Sequence, residues 1–225
     1  DGISTGTIDG SAYGITFPAS IDEGGNPVKL AEIQGPKPGQ IDSGTVDITG
    51  FSNFASGDAF TFLRGGESGD TITVGDGPSV IFGGSGDDTL IGGSGDDTLI
   101  YADGSDLSGD VSVDGGAGMD TIRFTSATAD VDDEHFANVS VDSIEAITLS
   151  SGGGNTTITL GNSGDAATDG LTITGADQTV SGSGDTIDVS GMTEAVTINA
   201  GSGDDEITGG GSGDTITGGS GADVI

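Results

Sequence analysis

The chain has 225 residues, with 37 acidic side chains against four basic ones, and its formal net charge is −33 at pH 7. This charge repels nucleic acids and anionic lipid and opposes compaction, so the acidic side chains are expected to have a cationic partner. Cysteine is absent, which excludes disulfides and thiolate metal sites and leaves oxygen atoms as the ligands.

The N-terminal part is predicted to carry little regular structure. Residues 1–44 hold four of the five prolines and are expected to be extended or loosely packed. Residues 45–63 have the pattern strand, turn, strand, and their phenylalanines could cover one end of a core. These are Phe51, Phe54, Phe60 and Phe62. The sequence contains no apolar run of about 20 residues and no basic and then apolar leader, so it predicts neither a membrane span nor a signal peptide.

A nonapeptide repeat follows this segment. GGSGDDTLI occurs twice in succession over residues 83–100, and the flanking chain keeps the same phase. Steps of nine give an acidic column, Asp70, Ser79, Asp88, Asp97 and Asp106, and two places later an aliphatic one, Ile72, Ile81, Leu90 and Leu99. Single copies occupy residues 114–122 and 181–187. The pattern resumes with Asp205, Asp214 and Asp223, followed at the same offset by Ile207, Ile216 and Ile225.

The unit GGxGxDxUx, in which U is a large aliphatic residue, resembles the nonapeptide of the RTX family of calcium-binding repeats. Residues 83–100 match it at every position, whereas the copies 65–73 and 209–217 carry Ser fourth and Gly fifth, which leaves their turn geometry open. The resemblance implies an all-β fold, a right-handed parallel β-roll or β-helix solenoid whose strands alternate between two facing sheets. One coil would then take two nonapeptides, so that turns two repeats apart stack on each other.

The residue types of the repeat suit a calcium turn. Glycine tolerates positive φ, so a glycine-rich turn can wrap tightly and present its carbonyl oxygens to one point. Calcium takes six to eight oxygen ligands from carboxylates and carbonyls, and a turn that ends in Asp supplies both. In the short strand that follows, the central Leu or Ile points to the core and the flanking Thr residues point outward.

The predicted sites lie between stacked turns and hold about four to eight calcium ions. The predicted carboxylate ligands are Asp70, Asp88, Asp97, Asp106, Asp120, Asp185, Asp205, Asp214 and Asp223, and the predicted carbonyl ligands are Gly83, Ser85, Asp87, Gly92, Ser94 and Asp96. Asp70, Asp88 and Asp106 are expected along one edge, with Asp97 on the other. Asp185 should lie one coil before Asp205, with a small insertion. Because opposed carboxylates repel one another without metal, folding is expected to require calcium.

Residues 125–200 keep the strand rhythm without the repeat. Strands are predicted at 144–149, 156–160, 171–174, 186–189 and 195–199, joined by ordinary loops as in a parallel β-helix. Four parts follow: the segment 1–44, cap strands with a first calcium block at 45–124, plain coils at 125–180, and a second block at 181–225. Because the sequence starts at Asp1 and stops within a repeat, we interpret it as a piece of a longer protein.

Residues 130–136, DVDDEHF, include His135, the one histidine of the sequence. This residue could be a base, a metal ligand or a solvated loop residue. The neighbouring Asp130, Asp132, Asp133 and Glu134 could form a further cation site or an acidic surface loop. A zinc protease needs paired histidines with a Glu, and a serine hydrolase needs a His beside a nucleophile on a strained turn. The sequence has neither pattern, so no enzymatic activity is predicted.

Outward Thr pairs, such as Thr157 with Thr159, could order water as an ice-binding surface does, or could be an ordinary exposed strand face interrupted by Ile91, Ile100 and Arg123. The resemblance favours a structural calcium-binding domain of a bacterial cell-surface protein of the surface-layer kind. Such a protein would be exported by a type I secretion system, fold on extracellular calcium and assemble with its own copies. The alternatives are an RTX spacer of an adhesin or toxin, or an accessory domain of a secreted protease or lipase.

Overall fold

A computed structural model of the chain describes residues 33–34, 45–47, 61–65, 69–74, 77–137, 140–150, 154–161, 170–178, 182–211 and 213–225. The predictions for Phe51, Phe54 and Phe60, and for nearly all of residues 1–44, fall outside these ranges. Two helices lie within them, α1 (Gly104–Leu107) and α2 (Asp133–Phe136), each one turn long. Neither helix is long enough to cross a membrane, and no other helix occurs in the described ranges.

The remaining elements are short strands. In the first half they are β1 (Ile33–Gln34), β2 (Thr45–Asp47), β3 (Thr61–Arg64), β4 (Thr71–Thr73), β5 (Ser79–Phe82), β6 (Thr89–Ile91), β7 (Thr98–Tyr101), β8 (Ser112–Asp114) and β9 (Thr121–Phe124). In the second half they are β10 (Asp130–Asp132), β11 (Ser140–Asp142), β12 (Ala146–Leu149), β13 (Thr157–Thr159), β14 (Thr172–Thr174), β15 (Thr186–Asp188), β16 (Thr197–Asn199), β17 (Glu206–Thr208) and β18 (Thr215–Thr217). The five strands predicted between residues 144 and 199 are all present.

The strands within the described ranges form three sheets, and every pair among them is parallel, which confirms the predicted parallel β-roll. Sheet A has nine strands in the order β1-β3-β5-β7-β9-β12-β14-β16-β18 and runs the length of the roll. Sheet B has five, β11-β8-β6-β4-β2, and sheet C has four, β10-β13-β15-β17. The chain alternates between sheet A and sheet B in the first half, and between sheet A and sheet C in the second.

The expectation of two sheets is therefore corrected to three. The coil from β9 to β12 visits sheet C, then sheet B, then sheet A, so sheet C takes over from sheet B at this point. Both helices lie at the changeover: α1 contacts α2 and β10, the edge strand of sheet C. A β-carbon added to Gly104 of α1 would lie 2.6 Å from Nδ1 of His135, so glycine permits the close contact between the helices.

Strand register gives the coil length directly. Thr71 pairs with Thr89 and Thr197 pairs with Thr215, so each of these coils in the two repeat blocks takes two nonapeptides, as predicted. The coil that contains α1 is longer, since the helix is inserted between the paired residues Thr98 and Thr121. The coils without the repeat are longer still, as the pairing of Thr157 with Thr186 shows.

One continuous core fills the space between the sheets. Alternation along each strand turns the central aliphatic side chain inward, where it stacks on its equivalents in neighbouring coils. Sheet A contributes Ile81, Leu99, Ile122, Ile147, Ile173 and Ile198, and the opposite sheets contribute Ile72, Leu90, Val113, Val131, Ile158, Ile187 and Ile207. Tyr101 and Phe124 widen the core beside α1, with ring centroids 6.2 Å apart.

The turns between strands stack directly on one another. A β-carbon added to Gly92 would collide with the carbonyl oxygen of Gly115 in the next coil, and one added to Gly221 would collide with that of Gly203. Both would come well within 3.0 Å of backbone, a distance that real β-carbons essentially never show. Glycine is therefore needed at these positions for the coils to approach.

We expect Gly92→Ala to destabilise the calcium-loaded roll because the added methyl group forces two turns apart. Overpacking of this kind costs about 1–3 kcal/mol, which corresponds to a melting temperature lower by roughly 2–12 °C. Gly213→Ala is the matched control, since nothing lies within 4 Å of its added β-carbon. Thermal unfolding followed by circular dichroism gives both values, and equal losses in the two variants would contradict the stacking argument.

Candidate functional site

The Asp that ends each turn reaches across to the preceding coil. The Asp88 Oδ1 atom accepts a hydrogen bond from the backbone N–H of Asp70 at 2.7 Å, and the Asp97 Oδ1 atom accepts one from Ser79 at 2.7 Å. The same bond recurs from Asp88 to Asp110, Asp97 to Asp120, Asp185 to Asp205, Val196 to Asp214 and Asp205 to Asp223. These bonds align the carboxylates in columns along the edges of the roll.

Most of the predicted stacking agrees with these columns. Asp70 lies over Asp88 on the edge that precedes sheet B, and Asp97 lies on the edge that precedes sheet A, over Ser79. In the second block Asp185, Asp205 and Asp223 share one edge, including the predicted small insertion between the first two.

The predicted place of Asp106 is wrong. Asp106 lies within α1, where its carboxylate accepts from the backbone N–H of Ala102, and Asp110 takes the position after Asp88 instead. The reason is the one-turn helix, which lengthens the coil and moves the column acid further along the chain. The run Ser108-Gly109-Asp110 repeats the Ser-Gly-Asp of residues 68–70 and 183–185, so the signal was present in the sequence.

Two further acids extend or end the columns and were not predicted. The Glu145 Oε2 atom accepts from the N–H of Asp120 at 2.7 Å, so a glutamate continues the column of Asp97 beyond the repeat. Asp110 is buried and its Oδ2 atom accepts from the Tyr101 hydroxyl at 2.7 Å. The Asp110 N–H donates to the carbonyl oxygen of Leu107 rather than to a carboxylate of another coil, so the run of inter-coil bonds through Asp70 and Asp88 ends at Asp110.

Five of the described turns of the repeat fall into two classes. In the first class, which we call open turns, two glycines have left-handed φ and the Asp Oδ2 atom has no hydrogen-bond partner. Gly84 and Gly86, with φ of 109° and 130°, precede Asp88, whose Oδ2 atom is buried without a partner. The turns that end at Asp120 and Asp205 are the same: Gly116, Gly118, Gly201 and Gly203 have positive φ, and both Oδ2 atoms are buried and unpartnered.

In the second class, the closed turns, a turn amide occupies the carboxylate. The N–H of Gly93 donates to the Asp97 Oδ2 atom at 2.9 Å, and that of Gly210 donates to the Asp214 Oδ2 atom at 2.7 Å. No left-handed glycine occurs in the described part of either turn. The copy at 209–217, whose turn geometry the sequence left open, is therefore closed.

An identical sequence adopts both classes, because residues 83–88 and 92–97 are both GGSGDD. Their neighbours differ. The turn at 92–97 packs against Gly77 and Pro78, and a β-carbon added to Gly95 would lie 2.5 Å from the Pro78 nitrogen. The preceding coil also offers Ser79 in place of an Asp at this edge. The class of a turn therefore depends on the coil beside it.

Burial raises the pKa of the column carboxyls. Desolvation raises the pKa of Asp88 to about 6, and the charges of Asp70 and Asp106 add to the rise. Desolvation also raises the pKa of Asp120 to about 6, with contributions from Asp97 and Glu145. The pKa of Asp205 is raised mainly by burial and further by the charge of Asp185. In each case burial and neighbouring carboxylates disfavour the charged form, and a backbone hydrogen bond opposes the rise in pKa.

Burial raises the pKa of Asp110 to about 7, and the charge of Asp88 contributes. The Tyr101 hydrogen bond opposes this rise.

The open turns fit a hard cation. A buried carboxylate oxygen without a donor, next to a second carboxylate one coil away, is the kind of oxygen that calcium coordinates. Asp88, Asp120 and Asp205 would each hold an ion with such an atom, and that ion would supply the missing positive charge. The carbonyls of Gly83, Ser85, Asp87, Gly92, Ser94 and Asp96 lie in the turns at 83–88 and 92–97, and their role as ligands stays a prediction.

The acidic segment around α2 serves the local structure instead. The Asp132 side chain accepts from the N–H groups of Glu134 and His135, and the His135 Nδ1 atom accepts from the N–H of Asp132, which forms a capping box. Asp133 accepts from the N–H of Gly161. In the described ranges no three His, Cys, Asp or Glu side chains come together as a metal-binding group, so the further cation site considered at this segment gains no support.

Residues 64–99 and 197–225 match the family model of the RTX calcium-binding nonapeptide repeat, in four copies. These ranges contain the turns that end at Asp88, Asp97, Asp205, Asp214 and Asp223. No curated protein and no solved structure matches the chain.

We expect Asp88→Asn to remove one tightly bound calcium ion or to weaken it at least tenfold, and Asp97→Asn to have a smaller effect. Asparagine keeps the oxygen that accepts the inter-coil hydrogen bond, so the substitution mainly removes the charge and the free carboxylate oxygen. At Asp97 calcium must first displace the Gly93 amide. Isothermal titration with calcium gives stoichiometry and affinity for both variants of the same hexapeptide, and equal losses would refute the distinction between open and closed turns.

We expect the metal-free roll to become more stable as the pH falls from 7 towards 4. The pKa values of Asp88 and Asp120 lie near 6 in the folded chain, above the ordinary 3.8, so the stabilisation by protonation is complete below about 3.8 and is lost as the pH rises through about 6. In excess calcium the dependence reverses, because protons compete with the ion. Strand content measured by circular dichroism in metal-free buffer tests this.

The double variant Asp88→Asn with Asp120→Asn is the control for this pH dependence, and its metal-free stability should vary less over the same pH range. A metal-free roll that loses strand content on acidification from pH 7 to pH 4 would contradict the expectation.

Proposed function

Because the chain carries RTX calcium-binding nonapeptide repeats in two blocks, we propose that it is a structural element which folds when extracellular calcium fills its open turns. The observation that carries the proposal is the set of buried, unpartnered Oδ2 atoms of Asp88, Asp120 and Asp205. Leaving a buried charged oxygen without a partner costs several kcal/mol, whereas a bound calcium ion turns the same atoms into ligands.

The size of the calcium effect is sufficient to control folding. At free calcium tenfold above the dissociation constant, each site adds about 1.4 kcal/mol, so four to eight sites add on the order of 5–11 kcal/mol. An ordinary domain is stable by about 5–15 kcal/mol in total. The core of the roll is thin, and the net charge of −33 opposes its compaction. Calcium therefore decides between the folded and the unfolded chain.

We place this element in a secreted bacterial cell-surface protein of the surface-layer kind, exported by a type I secretion system. The cytoplasm is poor in calcium, so the chain would stay unfolded during export and fold outside. The four-part division at residues 44, 124 and 180 belongs to this proposal, with two calcium blocks separated by plain coils. Its role is structural rather than catalytic, and its partners are calcium and further copies of the chain.

Two alternatives use the same roll differently. In an adhesin or toxin it would be a spacer for a module located elsewhere, and in a secreted protease or lipase it would be an accessory domain. Receptor binding by the full-length protein would favour the first and hydrolytic activity the second. Ordered arrays on the cell surface favour the surface-layer role.

We expect calcium removal to abolish most of the strand signal of the chain and any ordered assembly with it. The measurement is circular dichroism across a calcium titration, followed by electron microscopy of the same samples with calcium and with chelator. Magnesium at equal concentration is the control, because it keeps its water ligands and demands octahedral geometry. Unchanged strand content in chelator at pH 7 would falsify the proposal.

A further inference from the structure

Charge is distributed very unevenly over the faces of the roll. Among the strands that the structure describes, those of sheet A contain no Asp or Glu. Strands of sheets B and C do, namely Asp47, Asp114 and Asp142 in sheet B and Asp130, Asp132, Asp188 and Glu206 in sheet C. The total is 37 acidic residues, so one long acid-free sheet is a marked departure from the rest of the molecule.

Sheet A also carries two of the four basic residues, Arg64 in β3 and Arg123 in β9. Ile81 pairs with Leu99, so Phe82 and Ile100 occupy the next position along β5 and β7. With this step, strand register places both arginines in one row across the sheet, in the order Arg64, Phe82, Ile100, Arg123, Thr148, Thr174, Asn199 and Thr217. The residues before each of these positions point into the core. The row from Phe82 onward therefore belongs to the outer face.

This outer face is accessible. Arg123, Thr174, Asn199 and Thr217 are exposed, while Phe82 and Ile100 are half-buried, which makes the face apolar towards β5 and hydroxyl-rich towards β18. Apart from the arginines, every residue of this row is uncharged.

We propose that the outer face of sheet A is the surface through which two copies of this chain pack against each other, a proposal that rests on the calcium-dependent fold above. Any contact that buries the outer face of sheet C places Asp130, Asp188 or Glu206 against a second highly anionic molecule. Contact through sheet A buries no acid, removes Phe82 and Ile100 from water, and lets the long Arg123 side chain keep its charged end at the rim.

The size of the face sets the strength of the contact. The seven strands from β5 to β18, about 4.8 Å apart and three residues wide, cover roughly 330 Å² per copy, less than half of the roughly 800 Å² per partner that a stable interface needs. The pair is therefore weak in dilute solution and forms at high local concentration, as on a crowded cell surface.

The test uses matched double variants that add the same charge to opposite faces. Thr174→Asp with Thr217→Asp changes the last residue of β14 and β18 in sheet A, and Thr159→Asp with Thr208→Asp changes the last residue of β13 and β17 in sheet C. All four threonines are exposed. Sedimentation velocity over a concentration series in calcium measures association of the full chain.

We expect the wild-type chain to associate with rising concentration, the sheet A variant to associate at least tenfold more weakly, and the sheet C variant to stay within about twofold of wild type. A wild-type chain that stays monomeric, or equal losses in both variants, overturns the proposal. Circular dichroism and calcium titration on the same samples separate the two levels, because failure of the calcium-dependent fold removes the calcium-induced strand signal, whereas failure of the interface leaves it intact.

If the acidic sheet A variant does not fold, cross-linking tests whether the outer face of sheet A is the contact between two copies. The chain has no cysteine, so Thr174→Cys and Thr159→Cys each introduce a single reactive thiol. With a long flexible bismaleimide in calcium, Thr174→Cys should give covalent dimers and Thr159→Cys should give few. The reverse order, or no dimer from either, overturns the proposal.

Discussion

The fold depends on hydrogen bonds from a backbone N–H in one coil to the carboxylate that ends a turn in the next. Each such bond, as between Asp70 and Asp88, fixes the height of one turn over another and brings carboxylates together at the edge of the roll. The coils can then pack their aliphatic side chains into one column and their turns within van der Waals contact. The same arrangement desolvates Asp88, Asp120 and Asp205, so the interaction that orders the roll also creates its need for a cation.

The open and closed turns differ in how the second carboxylate oxygen is satisfied. In a closed turn the Gly93 or Gly210 amide satisfies the second carboxylate oxygen from within the chain. In an open turn, where two glycines have left-handed φ, no donor reaches the equivalent oxygen, and it stays available. At Asp110 the arrangement differs again, because the Tyr101 hydroxyl donates to the second carboxylate oxygen. The aspartates of the described turns thus have at least three different local environments.

Sequence periodicity predicted the parts of the fold that local residue types determine. Thr-Ile-Thr and Thr-Leu-Ile become strands because alternation buries their central residue, and a coil of two repeats follows wherever two nonapeptides are intact. Periodicity failed at Asp106, which stood in phase by the count of nine although residues 104–107 form a helix. It also could not separate residues 83–88 from 92–97, because their difference lies in Pro78 and Ser79 of the adjacent coil. The replacement of sheet B by sheet C depends on long-range packing around α1 and α2, for which no local pattern exists.

The coil from β9 to β12, which passes through all three sheets, affects how local unfolding would spread along the roll. Among the strands that the structure describes, sheets B and C share no pair, so the described backbone ladder that joins the two halves of the roll is sheet A. Since each coil of a solenoid contacts only its neighbours, unravelling that starts at one end meets a discontinuity on one wall at this coil. The roll thus consists of two consecutive segments that share sheet A, and local unfolding of one segment need not propagate into the other.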